Sequence, residues 1–337
     1  MEWNTSTLNE SNLHLVFPPT PAYVYITELI LGIIGTMGNA LVIIVVISTP
    51  KMKTLTNYFI INLAVADFMT SALLVLNRFL PKVVTFVTPS GIAGQFYCRL
   101  YFSAQFFWFS INTSSFNLLL VTMERYFAIV YPLSYDKYYT TGNALAMIAM
   151  AWISMFVLQF VTVIFHDYKN GNCMLSVYPY EWVGKLIGVL YFIITYFVPI
   201  CVMAWAYFRI LSCLKVSANN GSTPSAADDQ LQARSMLKAR QRVIWMLLLV
   251  IVTFATCWTP DSLLFLAYNL GTFIDLGADY VNCIVLLKFS NSILNPFIYV
   301  FKYKQFRTSF LKKFCHCLPM LKNKVSDGST GSATMQT

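Results

Sequence analysis

The residues of this 337-residue chain that could do chemistry are ionisable and amide side chains set inside long apolar stretches. Asp67 interrupts one such stretch, Asn77 and Arg78 close it, Glu124-Arg125-Tyr126 ends another that also holds Gln105, and Asp261 and Lys288 lie within two more. A charge in a low-dielectric interior is costly unless it pairs, is hydrated or lines a ligand or ion path, so function is the default reading of Asp67. Its plain alternative is a protonated carboxyl in a polar packing network. Asp261 and Lys288 have two open readings, an internal salt bridge or contacts to a ligand. Arg125 beside Glu124 is a charge pair at a helix end, whose bland counterpart is an arginine reaching for the interface. None of this is catalytic chemistry. His14, His166 and His316 are the only histidines and form no cluster for a metal. No phosphate-binding loop is present, and no internal repeat suggests a transporter.

The elements that must position these groups are membrane helices. The composition is 57% hydrophobic and only 11% charged, where soluble chains carry about 25% charge. Seven segments are apolar enough to cross a bilayer: Ala22–Ser48, Asn57–Leu80, roughly 96–130, about 142–165, Val183–Cys213, Leu237–Tyr268 and Tyr280–Phe301. The third is central. It runs uncharged from Leu100 to Met123 yet carries Gln105, Ser110, Asn112, Thr113, Ser114, Ser115 and Asn117, which belong inside a bundle rather than against lipid. The fold class is therefore all-α, a seven-helix transmembrane bundle. Lys304–Phe314 adds a short basic amphipathic helix lying on the membrane surface, with Phe306 and Phe310 on one face.

Charge placement sets the orientation. The net charge of +9 does not point to nucleic acid, because the basic residues cluster beside apolar runs. Lys51, Lys53, Lys215, Arg234, Lys238, Arg240, Arg242 and the basic C-terminal stretch fall on one side, predicted to be cytoplasmic. The N-terminus then faces outward, in the plasma membrane. Residues 1–21 read as an extracellular tail with sequons at Asn4 and Asn9 and no cleavable signal peptide. Residues 22–301 form the membrane domain, 302–317 the surface helix and 318–337 a polar, disordered cytoplasmic tail. Cys98 and Cys173 both face the oxidising side, where a disulfide persists. Cys315 and Cys317 follow the basic helix, the usual setting for palmitoylation, with unmodified thiols as the alternative.

Over residues 22–315 these features resemble a rhodopsin-like (class A) G-protein-coupled receptor. The resemblance rests on Gly38-Asn39, on Leu63-Ala64-Val65-Ala66-Asp67, and on Cys98 with Glu124-Arg125-Tyr126. It continues through Trp152, Pro199 with Tyr207, Phe254 with Cys257-Trp258-Thr259-Pro260, and Asn291 to Tyr299 with Asn295-Pro296. It implies an allosteric sodium ion held by Asp67, Ser114, Asn291 and Asn295, and no other cofactor. It implies an activation apparatus of Glu124, Arg125, Tyr126, Tyr207, Phe254, Pro260, Pro296 and Tyr299 that couples to a heterotrimeric G protein, with arrestin and receptor kinases as further partners. One departure stands out: where many relatives place an acid at the start of helix six, this chain has Lys238, Arg240 and Arg242. The arginine latch lacks that partner, and a leaky resting state is expected.

The ligand is less legible. Counting inward from Cys98 to the position where amine receptors carry an aspartate gives Gln105, whereas counting back from Arg125 gives Phe107. Neither is acidic, which argues against amines, and Phe289 replaces the lysine of opsins. Gln105, Phe107, Arg78, Trp258, Asp261 and Lys288, with a rim of Tyr178, Tyr180 and Tyr191 and a loop tethered by Cys98–Cys173, suit a peptide. A small organic or lipid ligand is the alternative.

Overall fold

The computed structural model describes residues 20–84, 89–164, 166–169, 172–175, 180–220, 227–275 and 277–314. Eight long or terminal helices organise it: α1 (Ala22–Ser48), α2 (Leu55–Val83), α3 (Gln105–Val130), α4 (Thr141–Val163), α5 (Glu181–Phe192 continued by Val198–Asn220), α6 (Ala227–Asn269), α7 (Asp279–Lys302) and α8 (Lys304–Phe314). Between α4 and α5 two short strands, β1 (His166–Lys169) and β2 (Asn172–Leu175), pair antiparallel with Tyr168 opposite Cys173. The sequence reading did not anticipate this hairpin.

The apolar faces point both ways, as lipid requires. Ile26, Ile30, Ile33 and Ile44 of α1 are exposed outward, while Val42, Val45 and Val46 are buried inward. Glycines let α1 approach α2 closely: a Cβ on Gly32 or Gly35 would collide with Val75 or Ser71. The largest enclosed side chains are Trp258, Tyr299, Phe59, Phe107, Phe254, Phe289 and Phe306, so the core lies among α2, α3, α6, α7 and α8. Phe306 of α8 sits at 1% exposure, which anchors that helix under the bundle. Six of the described helices, α1, α2, α4, α5, α6 and α7, are long and apolar enough to cross a membrane by length and composition. The exception is α3, which is buried for much of its length with its hydroxyls and amides turned into the protein.

The structure corrects the reading of the third segment as one continuous helix. A short helix Gly91–Phe96 leads into a π turn, Tyr97–Phe102, and Ala104 then adopts a left-handed conformation at φ 52° before α3 begins at Gln105. A π turn holds extra residues per turn, and the Ser103–Ala104 step adds a further offset. That is why counts from Cys98 and from Arg125 disagree by two residues. Two more π turns, Val75–Phe79 in α2 and Ile193–Phe197 in α5, fall in the same half of the bundle.

Candidate functional site

Cys98 closes a disulfide with Cys173, with the Cα atoms 5.2 Å apart. The bond fastens β2 to the entry of α3. Two side chains reinforce it: Arg99 Nε donates to the His166 carbonyl at 3.0 Å, and Gln95 Nε2 donates to the Tyr168 carbonyl at 3.1 Å. The hairpin is thus held against the helix Gly91–Phe96 and the π turn Tyr97–Phe102 that lead into α3.

Beneath it lie the charged groups. Lys288 Nζ on α7 donates to Asp261 Oδ2 on α6 at 2.6 Å, and their side chains are only 10% and 15% exposed. The ammonium also stands 4.6 Å from the Trp258 ring centre and 5.4 Å from that of Trp108, a cation–π arrangement that partly replaces lost water. On the other flank Arg78, carried on the π turn of α2, donates through Nε to Glu28 Oε1 of α1 at 2.9 Å. Its guanidinium lies 5.4 Å from the Phe289 ring centre. Phe107 is fully enclosed, with Trp108 and Phe289 at ring distances of 5.2 and 5.0 Å, so it supports this aromatic floor from behind. Gln105 turns toward α4 and accepts from Gln159 Nε2 at 2.7 Å. Asn112 completes that seam by donating to Gln159 Oε1 at 3.4 Å and to the Tyr191 hydroxyl at 2.5 Å. Tyr180 is exposed, and Tyr178 falls outside the described residues.

At mid-bundle Asp67 is completely buried. Ser114 Oγ donates to Oδ1 at 2.5 Å, and Asn295 Nδ2 donates to Oδ2 at 2.8 Å. Asn291, one turn from Asn295 on α7, is buried without a hydrogen bond to this carboxylate among the described residues. The Ser292 hydroxyl and Asn295 Oδ1 are buried with no hydrogen-bond partner. One carboxylate with unpaired oxygens nearby is a donor set that fits a small hard cation. Trp258 and Phe254 pack on α6 at a ring distance of 5.1 Å, with Trp258 at 1% exposure. Pro260 and Pro296 sit inside α6 and α7, where each removes a backbone hydrogen bond.

At the opposite end from the disulfide, Glu124 is fully buried and forms an ion pair with Arg125. Arg125 also donates to Thr56 of α2. The Tyr135 hydroxyl donates to Glu124 Oε1 at 2.6 Å from the short helix Pro132–Tyr138 that follows α3. Burial and the neighbouring carboxylate both push the Tyr135 phenol well above its ordinary pKa, so it stays a donor. Burial likewise pushes Tyr139, stacked on Tyr135 at 5.2 Å, up to about 12. Tyr126 packs against Trp205 at 4.9 Å. Tyr207 does not meet Arg125: it donates to the Ile244 carbonyl of α6 at 2.9 Å. Tyr299 is buried in the core.

Comparison with known proteins places the chain in a family. The family described as 7 transmembrane receptor (rhodopsin family) matches residues 38–299. The chain belongs to that family. This receptor is 30% identical over 319 residues to the allatostatin-A receptor of Bombyx mori, covering 91% of this chain and 83% of that one. It is 32% identical to the somatostatin receptor type 5 of Bos taurus, covering 93% and 84%, and 28% identical to the galanin receptor 2b of Danio rerio, covering 96% and 82%.

Several residues that shape the receptor's site were not singled out from sequence. Glu28 was visible as an acid inside the first apolar segment, but its partner Arg78 lies on another helix 50 residues away. Thr56 and Tyr135 gave no signal, because a hydroxyl near a helix end is common. Gln159 was an amide within the fourth span, which the rule for polar groups in lipid could have flagged. Asn4, Asn9, Cys315 and Cys317 fall outside the described residues, as do the side chains of Lys238, Arg240 and Arg242.

Proposed function

We propose that this receptor binds an extracellular peptide and passes the signal to a heterotrimeric G protein at the plasma membrane, with its N-terminus outside. The observation that carries this reading is the pair of ion pairs within the bundle, together with the disulfide-fastened hairpin on the π turn that leads into α3 and the further π turns of α2 and α5. Wide turns of that kind re-aim side chains and recur at functional sites. A site lined by charges and amides, with no acid at Gln105 or Phe107, suits the many polar contacts of a peptide better than a single amine. The relatives named above, called receptors for allatostatin-A, somatostatin and galanin, support the same ligand class.

In this reading Asp67, Ser114 and Asn295, with Asn291 alongside, would hold a sodium ion, which would supply charge compensation for the buried carboxylate and oppose activation. Trp258 above Phe254 is the element that ligand biases, and Pro260 and Pro296 are the hinges. Arg125 leaves Glu124 and Thr56 to meet the G protein, while Tyr126, Tyr207 and Tyr299 repack around it. Arrestin and receptor kinases use the same cytoplasmic face and the Ser/Thr-rich tail. The test is ligand-stimulated nucleotide exchange on purified G proteins, using the full chain in lipid and a library of synthetic neuropeptides. Exchange driven by at least one peptide is expected. Activation by amines or lipids alone, with all peptides silent, would overturn the ligand class.

A further inference from the structure

Among the described residues of the ligand half, Arg78 is a cation with donors to spare. Its Nε is committed to Glu28 and one face of the guanidinium rests on Phe289, but its side chain remains 34% exposed. The contact to Glu28 is single rather than forked. Both Nη groups are without a hydrogen-bond partner among the described residues, and Glu28 Oε2 is buried and unpartnered. An arginine and a carboxylate can match as a two-pronged pair, and in this pair the second prong is not made. Here Glu28, at 1% exposure, aims the guanidinium and leaves its outer edge open.

The local charge supports the same assignment. Lys82 lies one helical turn beyond Arg78, within electrostatic range of both Arg78 and Glu28, and its Nζ donates to the neutral Thr20 hydroxyl at 2.8 Å. Two cations therefore face one buried anion. Asp261 and Lys288 cancel each other farther along the floor, while Asp279, in the first turn of α7, accepts from the neutral Tyr23 hydroxyl at 2.6 Å and keeps its charge. A planar, forked donor beside a second positive charge recognises a carboxylate by geometry as well as by charge.

We propose that Arg78 receives a carboxylate of the peptide ligand, either its C-terminus or an acidic side chain, with Glu28 as the positioning residue. The proposal rests on the peptide reading above. Glu28 fixes the rotamer, Phe289 supports the planar group, and the free Nη edge forms the two parallel hydrogen bonds.

The test uses full-length receptor in cells and synthetic neuropeptides made in matched forms: free acid, C-terminal amide, and Asp→Asn or Glu→Gln at each acidic position. For an activating peptide, neutralising one particular carboxylate should lower potency by about 30-fold or more. In Arg78→Gln that same neutralisation should change potency little, because the interaction is already gone. Arg78→Lys should fall between, keeping charge without the fork. Glu28→Gln should weaken the acid form while leaving the neutralised form unchanged, which a merely structural role would not do. If Arg78→Gln reaches the surface poorly, the doubly neutral Glu28→Gln, Arg78→Gln receptor leaves no stranded charge and gives the same comparison. A peptide whose potency falls by equal factors in acid and neutral forms on Arg78→Gln overturns the inference alone. Activation only by an uncharged or cationic small molecule overturns it together with the peptide reading.

Discussion

The pair Asp261–Lys288 gives the sharpest prediction, because its two halves are supported unequally. At 2.6 Å, and with an effective dielectric near 20, the direct attraction is about 6 kcal/mol before the cost of drying both groups is subtracted. Removing one partner of so enclosed a pair costs about 3–5 kcal/mol, much of it from the charge left behind. Lys288, however, also lies over Trp258 and Trp108, and a dehydrated cation–π contact contributes about 2 kcal/mol. Asp261→Asn therefore leaves an ammonium with two aromatic partners. Lys288→Gln leaves a carboxylate 15% exposed, with no other cation among the described residues bonded to it. Lys288→Gln should be the worse variant by roughly the value of one such contact, about 2 kcal/mol. The double variant Asp261→Asn, Lys288→Gln should recover most of the loss. Surface expression and the thermal stability of detergent-solubilised receptor measure the ranking, and agonist potency separates folding from ligand contact. Equal losses, or Asp261→Asn being the worse, would refute the argument that the tryptophans support the cation. Normal expression and normal potency in both single variants would remove the pair from stability and from binding alike.

Asp67→Asn keeps the size of the side chain but removes the charge that draws a cation, so agonist affinity should lose its dependence on sodium; an unchanged sodium effect places the ion elsewhere. Tyr135→Phe deletes the hydroxyl bonded to Glu124, worth about 1.5–3 kcal/mol for a charged acceptor, and should raise ligand-free nucleotide exchange. Basal exchange at the wild-type level in that variant would show that the tyrosine does not restrain the arginine. Ala104→Gly should raise the melting temperature of the receptor, because a left-handed alanine costs about 1–2 kcal/mol that glycine avoids. A lower melting temperature would mean that the Ala104 methyl packs for more than the backbone loses.

What sequence revealed and what it hid divide along a physical line. Segment lengths, the charge-free interior of the third segment and the basic helix Lys304–Phe314 follow from hydropathy and period, which depend on local composition. The membrane helices were accordingly readable, including α3, where the polar residues that lower its hydropathy also place it centrally. The break at Ser103–Ala104 was readable only as a symptom, a miscount of two residues, since alanine gives no hint of a positive φ. Asp67 with Ser114 and Asn295 could be grouped through the resemblance. Glu28 with Arg78 could not, because nothing in either segment says that a π turn rotates Arg78 toward α1.

The missing acid of helix six takes a different meaning once Tyr135 is in place. From sequence, Arg125 has Glu124 alone, and a leaky receptor follows. In the structure Glu124 is fully buried, receives hydrogen bonds from Tyr135 at 2.6 Å and Thr56 at 3.1 Å, and pairs with Arg125, which itself reaches Thr56. Among the described residues, the groups that hold Arg125 and Glu124 belong to α2, α3 and the short helix after α3. Moving Arg125 away must therefore disturb a fully buried carboxylate. An acid introduced at Arg240 tests how much hold remains to be gained. If Arg240→Glu lowers basal exchange strongly, α6 was the unguarded side; if Tyr135→Phe raises it while Arg240→Glu changes little, the α2–α3 network is the restraint.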